Sequence, residues 1–277
     1  MKVKLWGTRG SLPSSRPDTQ IFGGHTSCVT VSTPETLLVL DAGSGIQRLG
    51  ITGEIAGHRR IDILLTHLHM DHIQGLGFFQ PLFEPGAEIN IWGPADHDAS
   101  LYERLSRYLS PPLFPVPIRD LPSRLTFHEV PAGGFQVGSL AIEASYVCHP
   151  GPTVGYRISG SAVVTYLPDH EPALGNAGFE SAAEWTSGYR LAREADLLIH
   201  DAQYSAEEYQ YRLGWGHSTY AHALRFAELT RVRQLLLFHH DPTHSDEALY
   251  QMFRENVSKR EYPFKVSIAR EGAAFEF

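Results

Sequence analysis

Short apolar or alternating runs, bounded by Gly, Pro, Asp and Ser, recur along the whole chain. Runs of this length read as strands: the alternating ones bury one face, the continuous ones both. The pattern predicts strands at Val3–Trp6, Cys28–Ser32, Thr36–Leu40, Ile61–Leu65, Glu88–Trp92, Arg124–His128, Leu140–Tyr146, Val154–Ile158, Ala162–Leu167, Leu197–His200 and Gln234–Phe238. Helical spacing predicts Ala95–Tyr108, Ala182–Ala195, Ser218–Thr230 and Ser245–Asn256, the last two opened by serines able to cap exposed amides. The Pro-rich passage Pro111–Pro117 is expected to be an ordered connection, since its apolar residues need cover. Many strands with interspersed helices predict stacked sheets covered by helices.

Composition narrows the class. A chain of 277 residues, 42% apolar, can bury one large core. The opening residues read as an amphipathic strand with no apolar signal segment before them, and no later span is long enough to cross a bilayer, so a soluble cytoplasmic protein without membrane contact is expected. Two cysteines, Cys28 and Cys148, are too few for a disulfide framework or a four-cysteine zinc cluster. A formal charge of −8 argues against a broad basic surface for tracking long nucleic acid. It leaves room for a small anionic substrate, because bound cations can reverse the local sign.

The candidate chemistry sits at strand ends. His67-Leu68-His69-Met70-Asp71-His72 directly follows the apolar Ile61–Leu65 run. Imidazole nitrogens and a carboxylate at alternate positions of an extended turn can converge on one ion, and four such groups make room for a second. Further clusters follow other strands: Cys148-His149-Pro150, Pro168-Asp169-His170-Glu171 and Phe238-His239-His240-Asp241. His239 and His240 compete for the same role at one strand end, with His239 favoured as the first residue after Phe238.

These motifs together resemble the metallo-β-lactamase fold superfamily of metal-dependent hydrolases, whose signature is His-x-His-x-Asp-His followed by a His, an Asp and a final His. The match runs from Gly7-Thr8-Arg9-Gly10-Ser11 through Leu40-Asp41-Ala42-Gly43-Ser44-Gly45 to His239. The resemblance implies an α/β fold, the αββα four-layer sandwich of two mixed β-sheets flanked by helices, as a single domain over residues 1–277. It implies two divalent metal ions, zinc foremost with manganese or iron as alternatives: His67, His69 and His149 at one, Asp71, His72 and His239 at the other, Asp169 between them. Asp71 is implied in catalysis as well, and Asp41 as a carboxylate behind the metal loop. A bridging aspartate disfavours a β-lactam substrate, and Leu68 stands where oxygen-reducing di-iron relatives carry glutamate.

Leu198-Ile199-His200-Asp201-Ala202-Gln203-Tyr204 and Gly214-Trp215-Gly216-His217-Ser218-Thr219 resemble paired motifs of the ribonuclease Z branch. There an acidic residue orients a histidine that protonates the leaving alkoxide, roles that would fall to Asp201 and His217. That branch inserts a long arm for gripping transfer RNA between the His and the bridging Asp, yet only twenty positions separate His149 from Asp169. The expected function is therefore hydrolysis of a small phosphodiester, a cyclic nucleotide foremost, by a metal-bridging hydroxide with His217 as general acid. Lactonase or ester hydrolase, transfer RNA 3′-processing endonuclease and non-catalytic nucleotide sensor stay as alternatives. Arg9 or Ser11 is a candidate phosphate contact, and Phe78, Phe79, Tyr204 and Trp215 are candidates for base recognition. His170, His222 and His244 are read as satisfied positions before substrate contacts. A homodimer is carried over by resemblance alone.

Overall fold

The computed structural model describes residues 1–131, 133–172, 174, 179 and 183–277. The strands are β1 (Lys2–Gly7), β2 (Cys28–Ser32), β3 (Leu37–Leu40), β4 (Arg60–Leu64), β5 (Glu88–Gly93), β6 (Arg124–Glu129), β7 (Phe135–Val137), β8 (Leu140–Tyr146), β9 (Val154–Ser159), β10 (Val163–Leu167), β11 (Leu197–Asp201), β12 (Gln234–Phe238), β13 (Lys265–Ile268) and β14 (Ala274–Glu276). The α-helices are α1 (Gly45–Ile51), α2 (Met70–Ile73), α3 (Leu101–Tyr108), α4 (Tyr189–Ala192), α5 (Ala206–Tyr209), α6 (Tyr220–Thr230) and α7 (Asp246–Asn256).

The strands form two seven-stranded sheets, β14-β1-β2-β3-β4-β5-β6 and β13-β12-β11-β10-β9-β8-β7. In each, an antiparallel set (β14 to β3; β7 to β10) gives way to a parallel set (β3 to β6; β10 to β13). Side chains alternate between the faces of a strand, so Leu38 and Leu40 of β3 enter a central core with Val29, Val31, Tyr156, Val164, Ile199 and Phe238. Leu37 and Val39 point the other way, into an outer core with Ile46 and Leu49 of α1 and Leu101 and Leu105 of α3. On the far side Leu198, Leu235 and Leu237 meet α4, α6 and α7 through Leu191, Leu224, Phe226 and Leu249. Helix layer, sheet, sheet and helix layer follow one another, and the expected four-layer sandwich is the fold.

All the strands expected from patterning are present with small shifts in their ends, and β7, β13 and β14 join them. The helices differ more. The one expected from Ala95 begins only at Leu101, where Ser100 forms a capping box with Glu103; before it, the Asp98 amide donates to Asp96 Oδ1 in a local turn that competes with helix. Of the expected Ala182–Ala195 helix, Ala182 lies outside the described residues and α4 spans Tyr189–Ala192, with Gly188 before it in the left-handed region at φ 73°. Helix α7 is capped by Ser245 as expected, but α6 is capped by Thr219, because Ser218 Oγ donates instead to the His170 carbonyl. Phe114 of the Pro-rich passage is buried in the outer core. Among the described residues no helix is long and apolar enough to cross a membrane.

Candidate active site

The site lies at the C-terminal ends of the parallel strands, where α/β folds place their ligands. Strand β3 delivers Asp41, β4 the His67–His72 run, β10 Asp169, β11 Asp201 and β12 His239, while the turn after β8 brings His149. Parallel register sets Leu167 beside His200 and Asp201 beside Phe238, which brings the three C-terminal turns to one level.

Three groups of side chains could each hold a metal ion: His67, His69, His149 and Asp169; Asp71, His72 and His239; and Asp169, His217 and His239, the last sharing Asp169 with the first and His239 with the second. Asp169 faces all three. Its Oδ1 lies 3.0 Å from His72 Nε2 and 3.3 Å from His239 Nε2, and its Oδ2 lies 3.7 Å from both His67 Nε2 and His149 Nε2. Asp71 Oδ2 is 3.3 Å from His72 Nε2 and 3.2 Å from His239 Nε2, and His69 Nδ1 is 3.2 Å from His149 Nε2.

The donor set fits divalent cations. His67 Nε2, His72 Nε2 and Asp169 Oδ1 are buried and make no well-aligned hydrogen bond, the 3.0 Å approach of the last two included, a costly state for polar atoms that a cation relieves. Asp41, Asp71 and Asp169 are all buried and converge on His72. Burial disfavours ionisation of Asp71 and Asp169, but His72 and His239 outweigh it and hold both carboxyls well below their usual range, while burial of His72 is outweighed in turn by Asp169, Asp71 and Asp41, which hold that ring well above its own. Burial pushes the His67, His69 and His149 imidazoles down, keeping them neutral with a lone pair to offer.

Each donor is oriented from behind. Asp41 Oδ1 accepts from the Thr66 amide at 2.7 Å, and its Oδ2 takes His72 Nδ1 at 2.8 Å. Thr66 Oγ1 reaches both Asp41 and His67 Nδ1. The Ser11 amide donates to Asp71 Oδ2 at 2.7 Å. Gln203 Oε1 accepts from His239 Nδ1 at 2.8 Å, and the Gly216 carbonyl from His149 Nδ1 at 3.0 Å. Gly10 has a stricter role than opening a turn: a Cβ there would sit 2.3 Å from His239 Nδ1. Gln203, Thr66 and Glu171 carry no role that the sequence alone assigns, although Gln203 lies two residues beyond Asp201 and Glu171 two residues beyond Asp169 in the same motifs.

His217 stacks on His239, ring centroids 5.0 Å apart, and its Nδ1 lies 2.7 Å from Asp201 Oδ2. Asp201 also accepts from the Gln203 and Ser218 amides at 3.0 Å. Burial works against a charged His217 ring, but Asp201 by charge and hydrogen bond, with Asp169 and Asp71 behind it, pushes it up to about 9. The arrangement places a ring that favours the charged form beside Asp169 and the other candidate donors.

The other candidates divide by burial and partner, and Arg9, Phe79 and Tyr204 depart from expectation. His240 is buried with Nε2 on the Ala269 carbonyl, and burial with the Arg9 charge lowers it to about 3, so His239 alone of the pair faces the cluster. Arg9 is fully buried, donating to the carbonyls of Gly23, Asp241 and His244, and cannot reach a phosphate. Phe79 and Tyr204 are buried, which leaves Phe78 and Trp215 as exposed rings. His170 pairs with His200, His222 packs against Tyr209, and His244 meets Glu208. Cys28 and Cys148 are both free.

Fold and donor set together define a metal-dependent hydrolase of the metallo-β-lactamase fold class. The beta-lactamase superfamily domain profile matches residues 36–240, and the chain belongs to that superfamily. A ribonuclease Z from Archaeoglobus fulgidus is 27% identical over 297 residues, covering 89% of each chain. A metallo-beta-lactamase fold protein from Bacillus subtilis superposes with a TM-score of 0.71 at 21% identity, over 99% of this chain and 98% of that one. A diphosphatase of the PhnP family superposes with a TM-score of 0.67 at 18% identity, over 100% of this chain and 97% of the other.

Proposed function

We propose that this chain is a phosphoric diester hydrolase acting on a small diester, a cyclic nucleotide foremost, as one domain over residues 1–277. The observation that carries the reading is the Asp201–His217 pair standing beside the two donor groups. Ester or lactone hydrolysis uses the same donors but has little need of a charged acid, whereas an alkoxide leaving phosphorus needs a proton. His67, His69 and His149 would hold one divalent ion, Asp71, His72 and His239 the other, with Asp169 shared, and zinc suits the histidine-rich set. Bound ions supply a nucleophile from water at neutral pH and neutralise the phosphoryl oxygens. The protein's own part is to hold these donors, keep His217 charged through Asp201, and deliver its proton to the departing oxygen.

A ribonuclease Z relative at 27% identity supports a second reading, a nucleic acid substrate. Against it, the stretch from His149 to Asp169 is filled by β9 and β10 alone, and the net charge is −8. Turnover by zinc- or manganese-reconstituted protein is the test, on 3′,5′- and 2′,3′-cyclic nucleotides, a bis-aryl phosphodiester, a lactone and precursor transfer RNA. Cyclic nucleotide turnover with no cut RNA is expected; lactone turnover alone, or RNA cleavage alone, sinks the reading. The homodimer and cytoplasmic location expected from the sequence belong to the same proposal, and light scattering checks the first.

A further inference from the structure

A buried carboxylate that the proposed reaction does not use holds the turn Gly214–Trp215–Gly216 from beneath. Glu171 has no exposed surface. Its Oε1 accepts from Tyr209 Oη at 2.7 Å and from the Gly214 amide at 3.0 Å, and its Oε2 from the Gly216 amide at 2.8 Å. Gly214 and Gly216 sit at φ 78° and 89°, a region open to glycine, which lets both amides converge on one anion. A desolvated carboxylate is costly unless its lone pairs are satisfied, so Glu171 and the turn stabilise each other in this conformation.

The turn in its conformation reaches both halves of the chemistry. The Gly216 carbonyl accepts from His149 Nδ1, and the fit is close enough that a Cβ on Gly216 would lie 2.2 Å from that nitrogen. With Nδ1–H engaged there, His149 keeps its lone pair on Nε2, the nitrogen that faces His69 and Asp169. One residue beyond Gly216 stands His217. The Glu171 amide itself donates to the Cys148 carbonyl at 2.9 Å, next to His149 and two residues beyond Asp169.

We infer that Glu171 is a positioning residue: through the Gly214–Gly216 turn it sets the tautomer of His149 and the placement of His217, coupling metal retention to proton donation. The catalytic half of this rests on the phosphodiesterase reading; the His149 half does not.

The test compares wild type, Glu171→Gln and Tyr209→Phe. Glutamine keeps the shape but turns an NH2 group against amide donors. In Glu171→Gln, zinc affinity measured against a chromogenic chelator is expected to fall about 10–100-fold, the usual cost of losing such support. kcat on a diester with a poor leaving group should fall with KM little changed, and the loss on an activated aryl ester should be smaller. Imidazole 15N spectra should show His149 losing its single tautomer. Tyr209→Phe leaves both glycine amides bound and should stay near wild type in all three. A folded Glu171→Gln with unchanged zinc affinity and unchanged leaving-group dependence overturns the inference, as do losses that simply follow melting temperature in both variants. Should Glu171→Gln fail to fold, Gly214→Ala takes its place, since a Cβ there meets no neighbouring atom yet strains the turn at φ 78°: weakened zinc affinity supports the inference and unchanged affinity overturns it. Wild-type protein that turns over no diester removes the proposed function, while chelator competition still decides the role of Glu171.

Discussion

The N-terminal and C-terminal sheets share a strand plan, an antiparallel set followed by a parallel one, but they furnish the site differently. The first gives His67, His69, Asp71 and His72 from one run after β4, the last two on the short helix α2. The second gives His149, Asp169, Asp201, His217 and His239 from separate turns: Asp169, Asp201 and His239 are level because β10, β11 and β12 pair in register, while His149 comes from the turn after β8 and His217 from the loop before α6. Local chain geometry sets the first group; tertiary structure sets the second. The first half should therefore bind metal by short-range design, while the second decides whether two ions are bound as a pair and what reaction they serve.

Asp169 is where that division is most exposed, since one carboxylate from the second half faces donors of both. Asp169→Asn is expected to abolish diester hydrolysis and to drop bound metal below two equivalents by elemental assay. Full activity with both ions retained would break the comparison outright. His217→Ala comes next: it should keep its metal yet lose about 10²–10⁴-fold on a poor leaving group, the usual worth of a general acid, and far less on an activated aryl ester. Equal losses on both substrates would remove His217 as proton donor.

Protonation sharpens the second-half role further. Because Asp201 raises His217 against the effect of burial, the donor form is favoured at neutral pH, and turnover of unactivated diesters should decline on the alkaline side as His217 loses its proton. Asp201→Asn removes the charge that outweighs burial, so the decline should move to lower pH. The same raised value means that the pair's contribution to stability is complete below the unfolded histidine value of about 6.5 and is lost as pH climbs through the folded one. A pH–rate profile that is identical in the two proteins would sever His217 from Asp201. Gly10→Ala tests the contact between halves: its methyl would press on the His239 ring held by Gln203, and about tenfold weaker binding of the second ion is expected by chelator competition.

The same contrast explains what the sequence reveals. Four ligand side chains within six positions after an apolar run announce the first group without any fold. The second group is legible only as a set, since a lone histidine or aspartate after a strand is ordinary. Arg9 misleads because the sequence cannot say that a cation in a glycine-bearing loop turns inward to three carbonyls. Glu171 and Gln203 stay hidden because their partners are distant glycine amides and a ring nitrogen, contacts with no spacing signature. Of the strands patterning misses, β7 and β14 have three residues each, and β13 has no fully buried residue to mark a core face.

Outer layers should make the two halves alike again. Helix α3 is capped by Ser100, whose side chain accepts from the Glu103 amide at 3.3 Å, and α7 by Ser245, which accepts from the Ala248 amide at 3.1 Å. Each satisfies one of the amides a helix start leaves without a partner. Ser100→Ala and Ser245→Ala should therefore each cost about 1 kcal/mol, read as a melting temperature lower by about 2–4 °C in a protein of this size. Neither serine touches a donor group, so metal content and turnover should be unchanged in both. If one cap alone altered zinc affinity, the helix layer of that half would be holding the site in place, and the division drawn between local and tertiary assembly would have to include it.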